Sequence, residues 1–180
     1  MKQVLKGLDP FISKDTKYLI LGSFPSVKSL EYGFYYMHSQ NRFYRILSEI
    51  FNDKYPETII QKKEFLSRHN ISLFDVIKSC TREGSLDSNI KDIEVNNLEM
   101  FFYRNIKIAC TGKTAFNLFK KYYPDIEVHY LSSPSPANQK YFDRTTYADF
   151  LDKMCTKIDF EYNNAQISNI FLKIKALTVV

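Results

Sequence analysis

Apolar residues recur in two rhythms along this chain. Short apolar-rich runs at residues 18–21 (YLIL), 71–76 (ISLFDV), 106–110 (IKIAC) and 128–131 (VHYL) have the length and bounding residues of strands buried on both faces. Between them the spacing is helical. Residues 42–51 carry Phe43, Ile46, Leu47 and Ile50 on one face, and residues 61–69, 93–102, 113–122 and 143–157 are also expected to be helices. Asn70 breaks the second of these, and residues 81–89 read as polar loop. Strands alternating with helices predict a three-layer α/β/α sandwich around a four-stranded, mainly parallel sheet. Residues 1–157 form one expected domain. In residues 158–180, Ile167, Ile170, Phe171, Ile174 and Leu177 keep helical spacing, so a docked extension is expected there. No internal repeat or linker interrupts the pattern.

The chemistry collects after strand ends. Gly22, Ser23 and Pro25 close the first run with turn-forming residues, and a ligand in such a sheet sits just beyond the carboxyl end of a strand. Residues 33–41 (GFYYMHSQN) then bring flat aromatic faces, an imidazole and two amides together. Flat faces stack on flat ligands, and amides orient polar edges or a water. Asn41 has two readings, a water-holding amide or the N-cap of the helix that follows it. Asp75, ending the second run, equally suits a turn cap. Residues 133–138 (SPSPAN) form a proline-stiffened loop after the fourth run. Gly112, Lys113 and Thr114 imitate the end of a nucleotide-binding P-loop, but that motif needs glycine at position 107, which is Lys107.

Composition narrows the classes. The 180 residues are 44% hydrophobic, enough for one domain with a real core. Fifteen Phe and thirteen Tyr are too many to be functional, so most must be packing. A net charge of +5 permits a polyanionic partner without requiring one. Cys80, Cys110 and Cys155 are widely spaced, which argues against a disulfide framework and a zinc site and for a reducing cytoplasmic setting. No signal peptide or membrane-length apolar span is evident, so a membrane association is not expected.

Four segments in order, GSFPS at 22–26, FYYMHSQNRFY at 34–44, EGSLDSNI at 83–90 and LSSPSPAN at 131–138, together resemble the uracil-DNA glycosylase superfamily. Its members share a G-x-(Asp or Asn)-P turn after the first strand and an (His, Asn or Ser)-P-S loop after the last. The second segment also looks like the G-F-x-F-x-H-P-x-N-R-F-W run of mismatch-specific glycosylases, and all four segments are echoed in the hypoxanthine-DNA (deoxyinosine) glycosylase group. The likeness covers roughly residues 15–155.

The resemblance implies a glycosylase-like α/β sandwich and a monofunctional DNA glycosylase in base excision repair, acting on hypoxanthine first or on mismatched uracil. It implies double-stranded DNA with a damaged base as partner, a monomer, and no metal or organic cofactor. The four-cysteine iron–sulfur site of some relatives cannot be assembled from three. By this likeness Gly22, Ser23, Phe24 and Pro25 form the turn beside the substrate. Phe24 stands where most members orient a water with Asp or Asn, so that role passes to Asn41. Tyr36 matches the ring beneath an extruded base, His38 a donor to purine or phosphate, and Asp75 a base-reading position where a carboxylate would only accept. Arg42, Lys113 and Ser133, Pro134, Ser135, Pro136, Ala137 and Asn138 would border the DNA strand. Three departures stand out: Ser133 replaces a His or Asn, Ala137 a bulkier wedge such as Leu, and Thr111 an Asn common in relatives. Phe24, Ser133 and Ala137 leave open a non-catalytic nucleic-acid-binding protein on the same fold, and stacking plus a held water would also suit a nucleoside hydrolase.

Overall fold

A computed structural model describes residues 3–102, 105–140 and 142–152. Four strands form the expected parallel sheet: β2 (Tyr18–Gly22), β3 (Ile71–Asp75), β6 (Lys107–Thr111) and β7 (His129–Leu131), in the spatial order β3-β2-β6-β7. Every residue of β3 and the last four of β2 are buried, which is why both read as apolar runs. The register pairs Gly22 with Asp75, Leu21 with Cys110 and Thr111 with Leu131. All four carboxyl ends therefore finish along one edge.

Helices α1 (Val27–Tyr32), α2 (Phe43–Phe51), α3 (Ile59–Arg68), α4 (Gly112–Tyr122) and α5 (Thr145–Phe150) cover the sheet. The core joins β2 and β3 to Phe43, Leu47, Phe65, Phe119 and Tyr147. A capping box between Thr58 and Gln61 starts α3, and Asn70, at a φ of 57°, turns the chain into β3.

A second, antiparallel sheet was not expected. It consists of β1 (Val4–Lys6), β4 (Ile77–Thr81) and β5 (Lys91–Val95), ordered β1-β4-β5. The expected helix over residues 93–102 is corrected: strand β5 occupies its start, and a 3-10 turn, Glu99–Phe101, follows. Lys78 and Ser79 hold Glu94 at 2.6 and 2.8 Å, and Thr81 donates to Asp92 at 2.6 Å. Polar pairs thus cross from β4 to β5, while Ile77 and Cys80 of β4 are buried. The part of the closing helix expected after residue 152, Cys155 and the extension over 158–180 lie outside the described residues.

Candidate functional site

The carboxyl ends of the parallel strands open into a cleft of about 670 Å³. Every side chain singled out in the sequence borders it except Arg42. The floor is formed where β2 and β3 end. A Cβ on Gly22 would collide with Asp75 Oδ1, so only glycine lets the two strand ends close over the carboxyl. Asp75 is 4% exposed, and its Oδ2 is buried with no hydrogen-bond partner. Burial, and next the charge of Asp87, push its pKa up to about 8, against the opposing pull of Arg82. Burial thus favours the protonated form of Asp75, in which the carboxyl carries one donor beside an acceptor. Burial tells against the acceptor-only carboxylate expected from the sequence, and Asp75 makes no side-chain hydrogen bond that would cap a turn among the described residues.

The aromatic wall is built by the loop after α1. Tyr36 adopts a φ of 57° and stacks on Phe43 at 3.8 Å between centroids, 15° apart in plane. Its hydroxyl lies 3.4 Å from Thr111 Oγ1, and burial raises its pKa. The ring is thus fixed along one face and at its tip. Neighbouring Tyr35 is core, donating to the Asp9 carbonyl at 3.0 Å. His38 Nδ1 accepts from the Gln40 amide at 3.2 Å, leaving Nε2 as the nitrogen that carries a proton in the neutral ring. Asn41 Oδ1 accepts from the Phe43 amide at 2.9 Å at the start of α2 while the residue lines the cleft. Asn41 thus satisfies the first amide of α2 from one residue ahead of the N-cap, Arg42, and lines the cleft.

Phe24 packs into a small cluster with Ile77 and Cys80, under the Arg82 guanidinium at 4.9 Å from its ring. Arg82 Nη2 donates to the Pro25 carbonyl at 2.6 Å. Phe24 therefore welds the turn after β2 to the second sheet.

The opposite rim is the loop after β7. Gly112, at a φ of 82°, would meet Ser133 Cβ at 3.1 Å if it carried a Cβ, so the loops after β6 and β7 are drawn into contact. Ser133 to Asn138 is bonded to itself: the Ala137 amide donates to Ser135 Oγ, and Asn138 Nδ2 to the Ser133 carbonyl. Arg42 grips it from α2. Its amide donates to the Pro134 carbonyl at 3.1 Å, its Nη2 to the Ser135 and Asn138 carbonyls at 2.9 and 3.1 Å, and the guanidinium lies 4.1 Å over Phe142. Arg42, expected beside the DNA strand, spends Nη2 as a clamp on this loop. Lys113 is exposed at the first turn of α4 and makes no ion pair within the described residues.

The loop of residues 82–90 forms a further wall that the sequence reading could not resolve. Both oxygens of Asp87 accept from Ser23 Oγ, at 2.9 and 2.8 Å, and Ser85 Oγ accepts from the Val27 amide at 3.0 Å. Asp87, Ser85 and Leu86 all border the cleft. Their segment was recognisable as a motif, but contacts spanning about sixty residues gave it no individual roles. Among the described residues no three His, Cys, Asp or Glu side chains are grouped to hold a metal ion, and no helix is long and apolar enough to cross a membrane.

Comparisons with known proteins bear on the family and the fold. A family model described as the uracil DNA glycosylase superfamily matches residues 10–170. A hypoxanthine DNA glycosylase of Methanosarcina barkeri (strain Fusaro / DSM 804) is 38% identical over 96 residues, 53% of this chain and 61% of that protein. One from Methanosarcina acetivorans is 36% identical over 95 residues, 52% and 60% of the two chains. The match thus spans about three fifths of the length of these relatives. A solution NMR structure from Methanosarcina acetivorans, of a protein provisionally called a uracil DNA glycosylase, superposes with a TM-score of 0.69 at 27% identity. That likeness covers 83% of this chain and 96% of the other.

Proposed function

Because the chain belongs to the uracil DNA glycosylase superfamily, we propose that it is a monofunctional DNA glycosylase that hydrolyses deaminated bases, hypoxanthine first, from duplex DNA. The observation that carries the reading is the buried Asp75 on the cleft floor, its Oδ2 without a hydrogen-bond partner, beside a ring held in place by Phe43. A base swung out of the duplex stacks on Tyr36. The Asp75 carbonyl oxygen accepts from N1–H of hypoxanthine while its hydroxyl donates to O6. Uracil offers the same edge through N3–H and O4, which makes mismatched uracil the second substrate.

Asn41 then holds the water. One lone pair of Oδ1 takes the Phe43 amide, which fixes the carboxamide, and the other accepts from the water. The C1′–N9 bond breaks with its electron pair on the purine, and the water oxygen bonds to C1′. The proton this oxygen sheds passes to the Asp87 carboxylate and, through solvent, to the departing purine. The Asp87 charge also faces the cationic sugar. Among the described residues Lys113 is the one amine bordering the cleft, and it sits exposed at its rim, so the proposed nucleophile is water and the product an abasic site.

Single-turnover assays on duplexes with inosine or mismatched uracil, beside free inosine, test this reading. Excision from inosine duplexes with none from the nucleoside is expected. Asn41→Ala should slow excision at least about tenfold. It should also lower Tm by a few degrees, because a lost cap costs about 1 kcal/mol. A protein that binds duplex DNA and excises nothing is instead the non-catalytic binder. Turnover of free inosine alone gives the nucleoside hydrolase.

A further inference from the structure

Extruding a base leaves a gap in the stack, and proteins that unstack DNA hold such gaps open with an apolar side chain. Ala137, on the rim loop after β7, ends in one methyl and is too small to fill it. The side of the cleft formed by residues 82–90 offers another group. Leu86 borders the cleft and is 54% exposed. The other large, exposed apolar residue on the rim, Tyr130, is 38% exposed and is held edge-on against Phe116 at 5.7 Å.

The backbone around Leu86 is firmly stitched. Ser85 on one side is bonded to the Val27 amide, and Asp87 on the other to Ser23 through both oxygens. The Leu86 carbonyl accepts from the Asn89 amide at 3.1 Å, and Asn89 Nδ2 donates to the Glu83 carbonyl at 3.1 Å. A rigid support under an aliphatic side chain left in water is the arrangement a wedge needs, because insertion then costs little ordering and removes apolar surface from solvent.

We propose that Leu86 enters the duplex and occupies the space vacated by the extruded nucleotide. This rests on the glycosylase reading, and its role lies in opening the duplex rather than in bond cleavage. The test compares inosine paired with cytosine in a duplex against inosine in a single strand, which needs no extrusion. Leu86→Ala should slow single-turnover excision from the duplex about tenfold or more and change the single-strand rate less than about twofold. Leu86→Met should keep most of the duplex rate, and Tm should not move in either variant. Equal losses on both substrates, or no loss on the duplex, would overturn the proposal. Base extrusion is also read directly, from the fluorescence of 2-aminopurine placed next to inosine. The signal should rise with the parent protein and stay flat with Leu86→Ala; an equal rise with both proteins overturns the wedge. A parent protein that raises this signal and excises nothing would sink the glycosylase reading and leave the wedge standing.

Discussion

Removing Asp75 from water ties two measurable properties to one proton. The folded protein holds that proton up to about pH 8, whereas an exposed Asp releases it near 3.8. The folded state thus binds more protons between these values. Its stability is full below the lower one and falls as pH rises toward the upper, by at most about 1.4 kcal/mol per pH unit. Denaturation of Asp75→Asn across this range should show a flatter pH dependence than the parent. An amide still donates to O6 and accepts from N1–H, so the variant should keep inosine excision. It should also lack the alkaline decline near pH 8 that is expected of the parent in single-turnover assays. An identical alkaline limb in both proteins would remove Asp75 from base reading. The sequence placed Asp75 at a strand end but not its protonation, because burial depends on strand partners distant along the chain.

Among the elements, the loop of residues 133–138 and helix α2 act as one unit through Arg42. Replacing Arg42 with Ala removes two hydrogen bonds from a charged group to part-buried carbonyls and the guanidinium packed over Phe142. A stability loss of about 2 to 4 kcal/mol is expected, measured by denaturant titration. As an internal clamp, Arg42 should leave the salt dependence of DNA binding unchanged, whereas a phosphate contact would lower its slope. The parallel sheet was legible because buried strands must be apolar throughout. Helix α2 was legible because its apolar face repeats. Strand β5 was not, since its residues are mostly exposed and its stability comes from Lys78–Glu94 and Thr81–Asp92 pairs across to β4. Helix α1, six residues long and capped by Ser26, offers too few turns for a periodic signal. The place of Asn41 at the cleft was legible because of the aromatic run before it, and its bond to the first amide of α2 because it precedes an apolar helix face. Arg42 misled for the same reason: sequence shows a cation next to the site but not the carbonyls that occupy it.

At the scale of the whole molecule, the net charge of +5 and the exposed Lys113 beside the uncapped start of α4 favour a polyanion at the cleft. Binding to a duplex with an uncleavable inosine analogue should weaken linearly on a log-log plot against salt, with a slope near 0.9 per phosphate neutralised. Lys113→Ala should make it shallower by up to about one unit. A constant indifferent to salt would exclude DNA as the partner. The order of strands also bears on how the chain is made. Strand β2 is central, pairing residues 18–22 with 71–75 on one side and residues 18–21 with 107–110 on the other. Synthesis proceeds at roughly 5 to 20 residues per second, so β2 and β3 leave the ribosome seconds before β6 does. Throughout that interval one edge of Leu19, Ile20 and Leu21 has no strand to close it. A nascent chain that stalls before residue 107 therefore carries an open template for pairing with its neighbours, and translation speed through this stretch becomes a determinant of yield.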